Sequence, residues 1–349
     1  METTINEKQK RISYINSIKG LAIWLVLLGH LLEEGLVLKS VIYSFHMPLF
    51  FSVYGLTYRK PDSTKDFFYR LFKRFVSYMA TYIIWASIYS SFSFKNLAFI
   101  VYGTTDSIKQ AGSSGVLWYL PAYFCAVFIF EIIMFISAKT KKENLISGII
   151  FAVICVIGFI LSKLSLIKYG YPWGFDIGCV CSLFLWFGYI FKSYILPKIN
   201  QKHILNIVIC IIGFGLTFLS LLVKTDSGYI RYASADYGNP LLIMIAAFGG
   251  ITAFIILVTY LDRIKPVSKV LFTMGSYSLV IMVLQRDLTN FVIYHLSISD
   301  NTIACILLSI PLIIVAFIGS YIISNIVPPL AGKYQVSDII SKFKFKRGN

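Results

Sequence analysis

Apolar residues run along this chain in long blocks separated by short polar breaks, near residues 14–32, 40–58, 76–94, 116–137, 146–162, 173–191, 204–223, 240–261, 270–290 and 303–327. A helix needs about 20 predominantly apolar residues to cross a bilayer, whereas barrel strands alternate over about ten. The pattern predicts an all-α fold, a polytopic membrane helix bundle of about ten transmembrane helices. An even number of crossings returns both termini to one side. The loops near 95–115 and 224–239 are too short to be domains, so one membrane domain is expected over 1–349. The apolar run Leu21–Leu32 behind a basic start resembles a signal peptide, but Glu33 and Glu34 follow it instead of a small-residue cleavage site, so an uncleaved first helix is expected.

Composition agrees: 57% of the residues are hydrophobic and 14% charged, against about 25% charged in a soluble domain, which excludes an ordinary cytosolic enzyme. The formal charge of +16 would suit a nucleic-acid binder, but in a membrane protein Lys and Arg first report which loops face the cytoplasm. Alternate loops carry 23 basic residues on one side, among them Arg59, Lys60, Lys65, Arg70, Lys73 and Arg74 in a single loop, and 8 on the other, Arg286 included. No nucleic-acid partner is expected; the termini are predicted cytoplasmic and the protein a multi-pass component of the cell membrane. All six cysteines lie within predicted spans, with no disulfide framework or metal spacing.

A Lys or Arg at mid-span costs roughly 2.5–3.5 kcal/mol on insertion scales, so intramembrane ionisable groups need a reason. Lys19 and His30, eleven residues apart in the first span, lie about 20° from three full turns, on one face and about 16 Å apart. Snorkelling to the two interfaces would explain each alone, but does not require them to align. His46, opening the second span, is expected at a depth comparable to His30, so a short connection would bring both imidazoles into one outer-side cavity. Histidine is the natural general base near neutral pH; a packed interfacial His beside a Pro48 kink is the bland alternative. Arg70 and Lys73, one turn apart, suit a phosphate-bearing ligand, although a topology-setting cluster is the commoner meaning. Trp118 and Tyr119 would ordinarily be interfacial belt aromatics, and Glu131 and Asp176 lack an evident partner.

Taken in order, these strings resemble the membrane acyltransferase-3 family, and within it the branch similar to fucose 4-O-acetylases. "YINSIKGLAIWLVLLGH" resembles the family's first helix, with Lys19 and His30 at its basic and histidine positions. "FHMPLFFSVYGLTYR", "YRLFKRFVSY", "LWYLPAYF" and "LFTMGSYSLVIMVLQRDL" are similar to its second, third, fourth and late helices. The chain departs from the family with Lys19 where Arg is usual, Asn16 in place of Asp, Arg70-x-x-Lys73 for a pair of arginines, and Gln285 where a late histidine is common.

The resemblance implies transfer of an acyl group, usually acetyl from acetyl-CoA, to a hydroxyl of a cell-surface carbohydrate or lipid-linked saccharide. It implies His30 as base, Lys19 as an essential polar group beneath it, and Arg70 and Lys73 as contacts to the CoA side. His46, Trp118 and Asn16 complete the expected substrate and donor site. Acyl-CoA enters as a donor substrate, with no permanently bound cofactor and no metal. A direct attack and a route through acyl-histidine both remain open. The rival readings are a carrier or flippase for a lipid-linked sugar, whose intramembrane polar residues would line a pathway, and a polysaccharide polymerase.

Overall fold

A computed structural model describes residues 2–90, 93–199, 201–296 and 298–332, with side chains from Tyr14 onward. Lys8, Lys10 and Arg11, and the tail from Lys333, which belong to the 23 cations of the basic side, lie outside the described side chains. The elements are α1 (Glu2–Leu31), α2 (Val37–Thr57), α3 (Thr64–Tyr89), α4 (Phe94–Tyr102), α5 (Thr105–Gln110), α6 (Tyr119–Ser137) and α7 (Glu143–Leu164). There follow α8 (Phe175–Ile190), α9 (His203–Thr217), α10 (Pro240–Leu261), α11 (Lys265–Ser276), α12 (Ser278–Leu296) and α13 (Thr302–Ile326). Among the described residues there is no strand, only an isolated antiparallel bridge between Arg231 and Asp236.

Helices stand at all ten predicted positions, but seven are long and apolar enough to cross a membrane, or eight if one bent pair counts as a single span. That pair replaces the predicted helix 270–290: α11 and α12 meet at an angle of 80° around Tyr277. The other two, α2 and α3, have 21 and 26 residues but too many polar ones. For α2 the reason is position. It packs against α1, α8 and α10, and its Lys39, Ser44, His46 and Ser52 are buried against protein rather than lipid. The converse holds for the strongly apolar spans α7, α9 and α13, which are the least buried and form the periphery around α1, α6, α8 and α10, although α10 is just as apolar.

Glycine sets the closest crossings. A Cβ on Gly275 of α11 would lie 1.8 Å from the Asn16 carbonyl oxygen of α1, and one on Gly188 of α8 would lie 2.0 Å from that of Ser52 in α2. Backbones can approach this closely only without side chains between them.

The loops assigned to each side by alternation gather at opposite ends of the bundle. At one end Ser17 and Ser268 donate to Asp262 at 2.5 and 2.6 Å, Lys60 pairs with Glu143, and Lys192 donates to the Tyr58 carbonyl at 2.7 Å. At the other, Arg231 pairs with Glu34 at 3.0 Å and the Glu33 amide donates to the Ser299 carbonyl at 2.8 Å. The basic end also holds the start of α3, where Ser63 caps the Asp66 amide. The Asp62 N–H, ahead of the Arg70 guanidinium, holds the Asp66 carboxyl below its ordinary range.

Deeper in the bundle, Arg74 of α3 meets Glu131 of α6 at 2.7 Å, Tyr54 of α2 donates to the same carboxylate, and the guanidinium lies 5.0 Å from the Tyr54 ring centroid. Glu131 therefore has the partner that the sequence did not reveal. Removing one member of a buried pair costs about 3–5 kcal/mol, because the other is left uncompensated. Arg74→Met should accordingly lower the melting temperature of the detergent-solubilised protein, and Arg74→Met with Glu131→Met should recover much of the loss. Equal losses in single and double variants would mean that the pair is not coupled. Gly275→Val should cost about 1–3 kcal/mol by overpacking, whereas Gly215→Val, with nothing within 4 Å of its Cβ, should melt like the parent; fluorescence-detected size exclusion after heating separates the two.

Candidate active site

His30 stands in the last turn of α1, and the short connection to α2 returns the chain antiparallel beside it. Lys39, 7% exposed, anchors that connection by donating to the Leu32 carbonyl at 2.7 Å. One turn further along α2, Tyr43 sits between the two histidines. Its ring meets His30 edge-on at 6.2 Å and His46 at 4.7 Å, and its hydroxyl lies 3.3 Å from His30 Nδ1. Gly29 makes room for this: a Cβ there would lie 2.8 Å from the Tyr43 ring. Both histidines thus line one cavity, with Met47, Trp118, Tyr119 and Gln285.

Hydrogen bonding assigns the two rings different proton positions. His46 Nδ1 lies 2.9 Å from the Ile42 carbonyl, which can only accept, so Nδ1 carries the proton and Nε2 keeps its lone pair. His30 Nδ1 lies 3.2 Å from Nη1 of Arg286, which can only donate, so this nitrogen keeps its lone pair. Cations surround the chamber: Arg286 at His30, Arg231 on the lining, and Lys39 over the rings of Tyr43 and Tyr229, with Glu34 as the acidic partner of Arg231. Such a setting favours negative charge that develops on a bound group. Gln285 is fully buried and neither of its amide atoms has a hydrogen-bond partner, although it lines the same cavity as the two histidines.

Of the expected site residues, His30, His46 and Trp118 come together here. Trp118 is 8% exposed and lines the chamber, so it is not a belt aromatic. Lys19 lies three turns back along the unbroken α1, half-buried and without a hydrogen-bond or ion-pair partner among the described residues. Asn16 is further still, donating to Ser276 of α11 at 3.2 Å. Arg70 and Lys73 do not form a matched pair. Arg70 is held by Asp66 at 2.6 Å and Asp62 at 3.6 Å, and Lys73 is exposed. Arg74, four positions on from Arg70, turns inward to Glu131 instead.

Arg286, Tyr43 and Arg231 were not picked out from sequence. Arg286 was counted with the loops although it falls inside the block 270–290; an arginine within an apolar block was the available signal. Among the described residues no cluster of ligating side chains could hold a metal ion.

Comparison with known proteins gives one match. No curated protein and no solved structure matches the chain. Residues 12–325, which reach from α1 to α13, match the family described as acyltransferase domain. A helix bundle with two histidines and an arginine gathered inside it thus has a family, and the chain belongs to these membrane acyltransferases.

Proposed function

We propose that the protein transfers an acyl group, acetyl from acetyl-CoA, to a hydroxyl of a cell-surface carbohydrate or its lipid-linked precursor, in the cell membrane with both termini cytoplasmic. The observation that carries this reading is the chamber at the end of α1, where His30 Nδ1 presents a lone pair beside the Arg286 guanidinium at 3.2 Å. A base and a cation gathered in one cavity are what acyl transfer to a hydroxyl requires.

In the proposed reaction the acceptor oxygen attacks the thioester carbonyl carbon while His30 takes the hydroxyl proton. The tetrahedral intermediate then collapses with loss of the carbon–sulfur bond, and the proton passes from His30 to the CoA thiolate. The acceptor hydroxyl first displaces Arg286 from Nδ1 and donates there in its place; the freed guanidinium then faces the developing oxyanion, and the unpartnered Gln285 amide is a second donor in the same cavity. Lys19, on the face of α1 that leads from the basic end to His30, orients the donor. A route through acyl-His30 uses the same groups in two steps.

CoA is polyanionic and cytosolic, so it docks at the basic end, where exposed Lys73 is open to a phosphate and Arg70 exchanges its aspartates for one. A carrier for a lipid-linked sugar is favoured by one feature, the 80° break between α11 and α12, since such breaks line transport sites. A carrier would gain no thermal stability from CoA.

His30→Ala in purified protein, supplied with acetyl-CoA and a surface-glycan acceptor, should abolish transfer measured by release of free CoA thiol; transfer at the parental rate would refute the role of the base. Arg286→Gln should lower kcat by about 10²–10³-fold, the loss of an oxyanion donor, with KM for acetyl-CoA little changed. Arg70→Ala combined with Lys73→Ala should weaken CoA binding, read as a smaller thermal shift on adding CoA, and an unchanged shift would remove both residues from the donor site.

A further inference from the structure

A second cavity adjoins the histidine chamber. Trp118 and Ala233 line both, and the second encloses about 240 Å³, below the roughly 300–1,000 Å³ of pockets for drug-sized ligands. Its walls come from three stretches of chain: 103–106 around the start of α5, 162–177 from the end of α7 to the start of α8, and 233–235.

These segments are tied to one another rather than merely adjacent. Trp173 donates to the Val101 carbonyl at 2.7 Å, Tyr102 to the Gly170 carbonyl at 2.7 Å, and the Thr105 hydroxyl to the Ala233 carbonyl. Among the described residues the left-handed non-glycine backbone is also gathered here. The non-glycine residues with positive φ among the described residues are Ser165, Trp173 and Ala235. Ser165 and Ala235 line the cavity, and Trp173 lies between Tyr171 and Gly174, which also line it. Such conformations persist only where the surroundings over-determine them, and they cluster at binding and catalytic sites. The cavity is therefore a built feature, fixed before any ligand arrives.

Its chemistry is that of a polyol site. The buried Asp176 carboxylate accepts from Ser162 at 2.9 Å, and Asp106 stands at the exposed rim. The Tyr171 hydroxyl is buried without a hydrogen-bond partner, so it has a bond to give. Trp118 and Tyr169 line it, and Lys168, which lies over the Tyr169 ring at 5.5 Å, is the one cation on the lining against two carboxylates. Carboxylates and hydroxyls beside aromatic residues match a ring that carries many hydroxyls, and the surplus of carboxylate disfavours an acidic sugar.

We propose that this cavity is the acceptor subsite, and that it holds one neutral or amino-sugar residue whose hydroxyl reaches past Trp118 to the His30 chamber. The proposal rests on the acyl-transfer reading for its purpose but not for its binding chemistry. Asp176 and Tyr171 hold the sugar by hydrogen bonds, and Trp118 is the shared wall between acceptor and reacting groups.

The test is an array of defined neutral, amino and acidic oligosaccharides presented to the full-length protein in nanodiscs, with parent, Asp176→Asn, Tyr171→Phe and His30→Ala compared. Binding to neutral or amino sugars is expected in the parent, at least ten-fold weaker in Asp176→Asn, several-fold weaker in Tyr171→Phe, and retained in His30→Ala. Tyr171→Phe removes only one oxygen and guards against misfolding of the Asp176 variant, whose melting temperature is measured alongside. No glycan binding by the parent, preference for acidic glycans, or parental binding in both folded pocket variants would overturn the proposal. Glycan binding that Asp176→Asn abolishes, in a protein that releases no thiol from acetyl-CoA, would leave this subsite standing while the acyl-transfer reading fell.

Discussion

A polar group placed in hydrocarbon must find its partner inside the protein, and that constraint orders this bundle. The spans that satisfy it trivially, α7, α9 and α13, are almost wholly apolar and sit outside. The polar helix α2 packs against α1, α8 and α10, and its Lys39, Ser44, His46 and Ser52 are answered by backbone carbonyls. The Arg74–Glu131–Tyr54 contact extends the same logic to α3 and α6. It ties three helices at one point, and it removes a buried carboxylate and a buried guanidinium from any requirement for solvent.

The chamber at the end of α1 follows from that arrangement. Because α2 is central and antiparallel to α1, His30 and His46 meet across Tyr43 without touching each other. Their partners then divide them. A backbone carbonyl commits Nδ1 of His46 as a donor, while a guanidinium commits Nδ1 of His30 as an acceptor. Two histidines close in sequence are thus not interchangeable: the one held by a side chain has a partner that a bound group can displace, and the one held by the helix backbone is better suited to hold an orientation.

Much of this was legible in the chain, and the remainder was hidden for identifiable reasons. Long apolar blocks located the helices, and Lys19, His30 and His46 stood out because ionisable groups are costly in spans. Block reading cannot see a bend that keeps the composition apolar, so the break at Tyr277 was invisible and α11 and α12 read as one span. It also treats position within a block as undecided, which is why Arg286 was counted as a loop cation while α12 in fact turns it toward His30. The inward turn of Arg74 was hidden for a simpler reason. Spacings of three and four both keep residues on one helical face with Arg70, and only the packed neighbour, Glu131, distinguishes Arg74 as the inward member.

The two cavities bear on how such a reaction keeps its reactants apart until the right moment. Loop contacts separate a basic end, with Lys60, Arg70 and Lys73, from an end where Arg231 pairs with Glu34 and the cavity lined by Asp176 opens. A polyanionic donor is attracted to the first and an uncharged polyol has chemistry to meet at the second. His30 lies at the end of α1 nearer the second, so in the proposed reaction a thioester would have to be threaded inward along that helix, past Lys19, before it reached the base. A flexible pantetheine arm is long and thin enough for such a path, whereas a sugar ring is not, which is the physical reason for proposing the strained cavity for the acceptor and the basic loop for the donor.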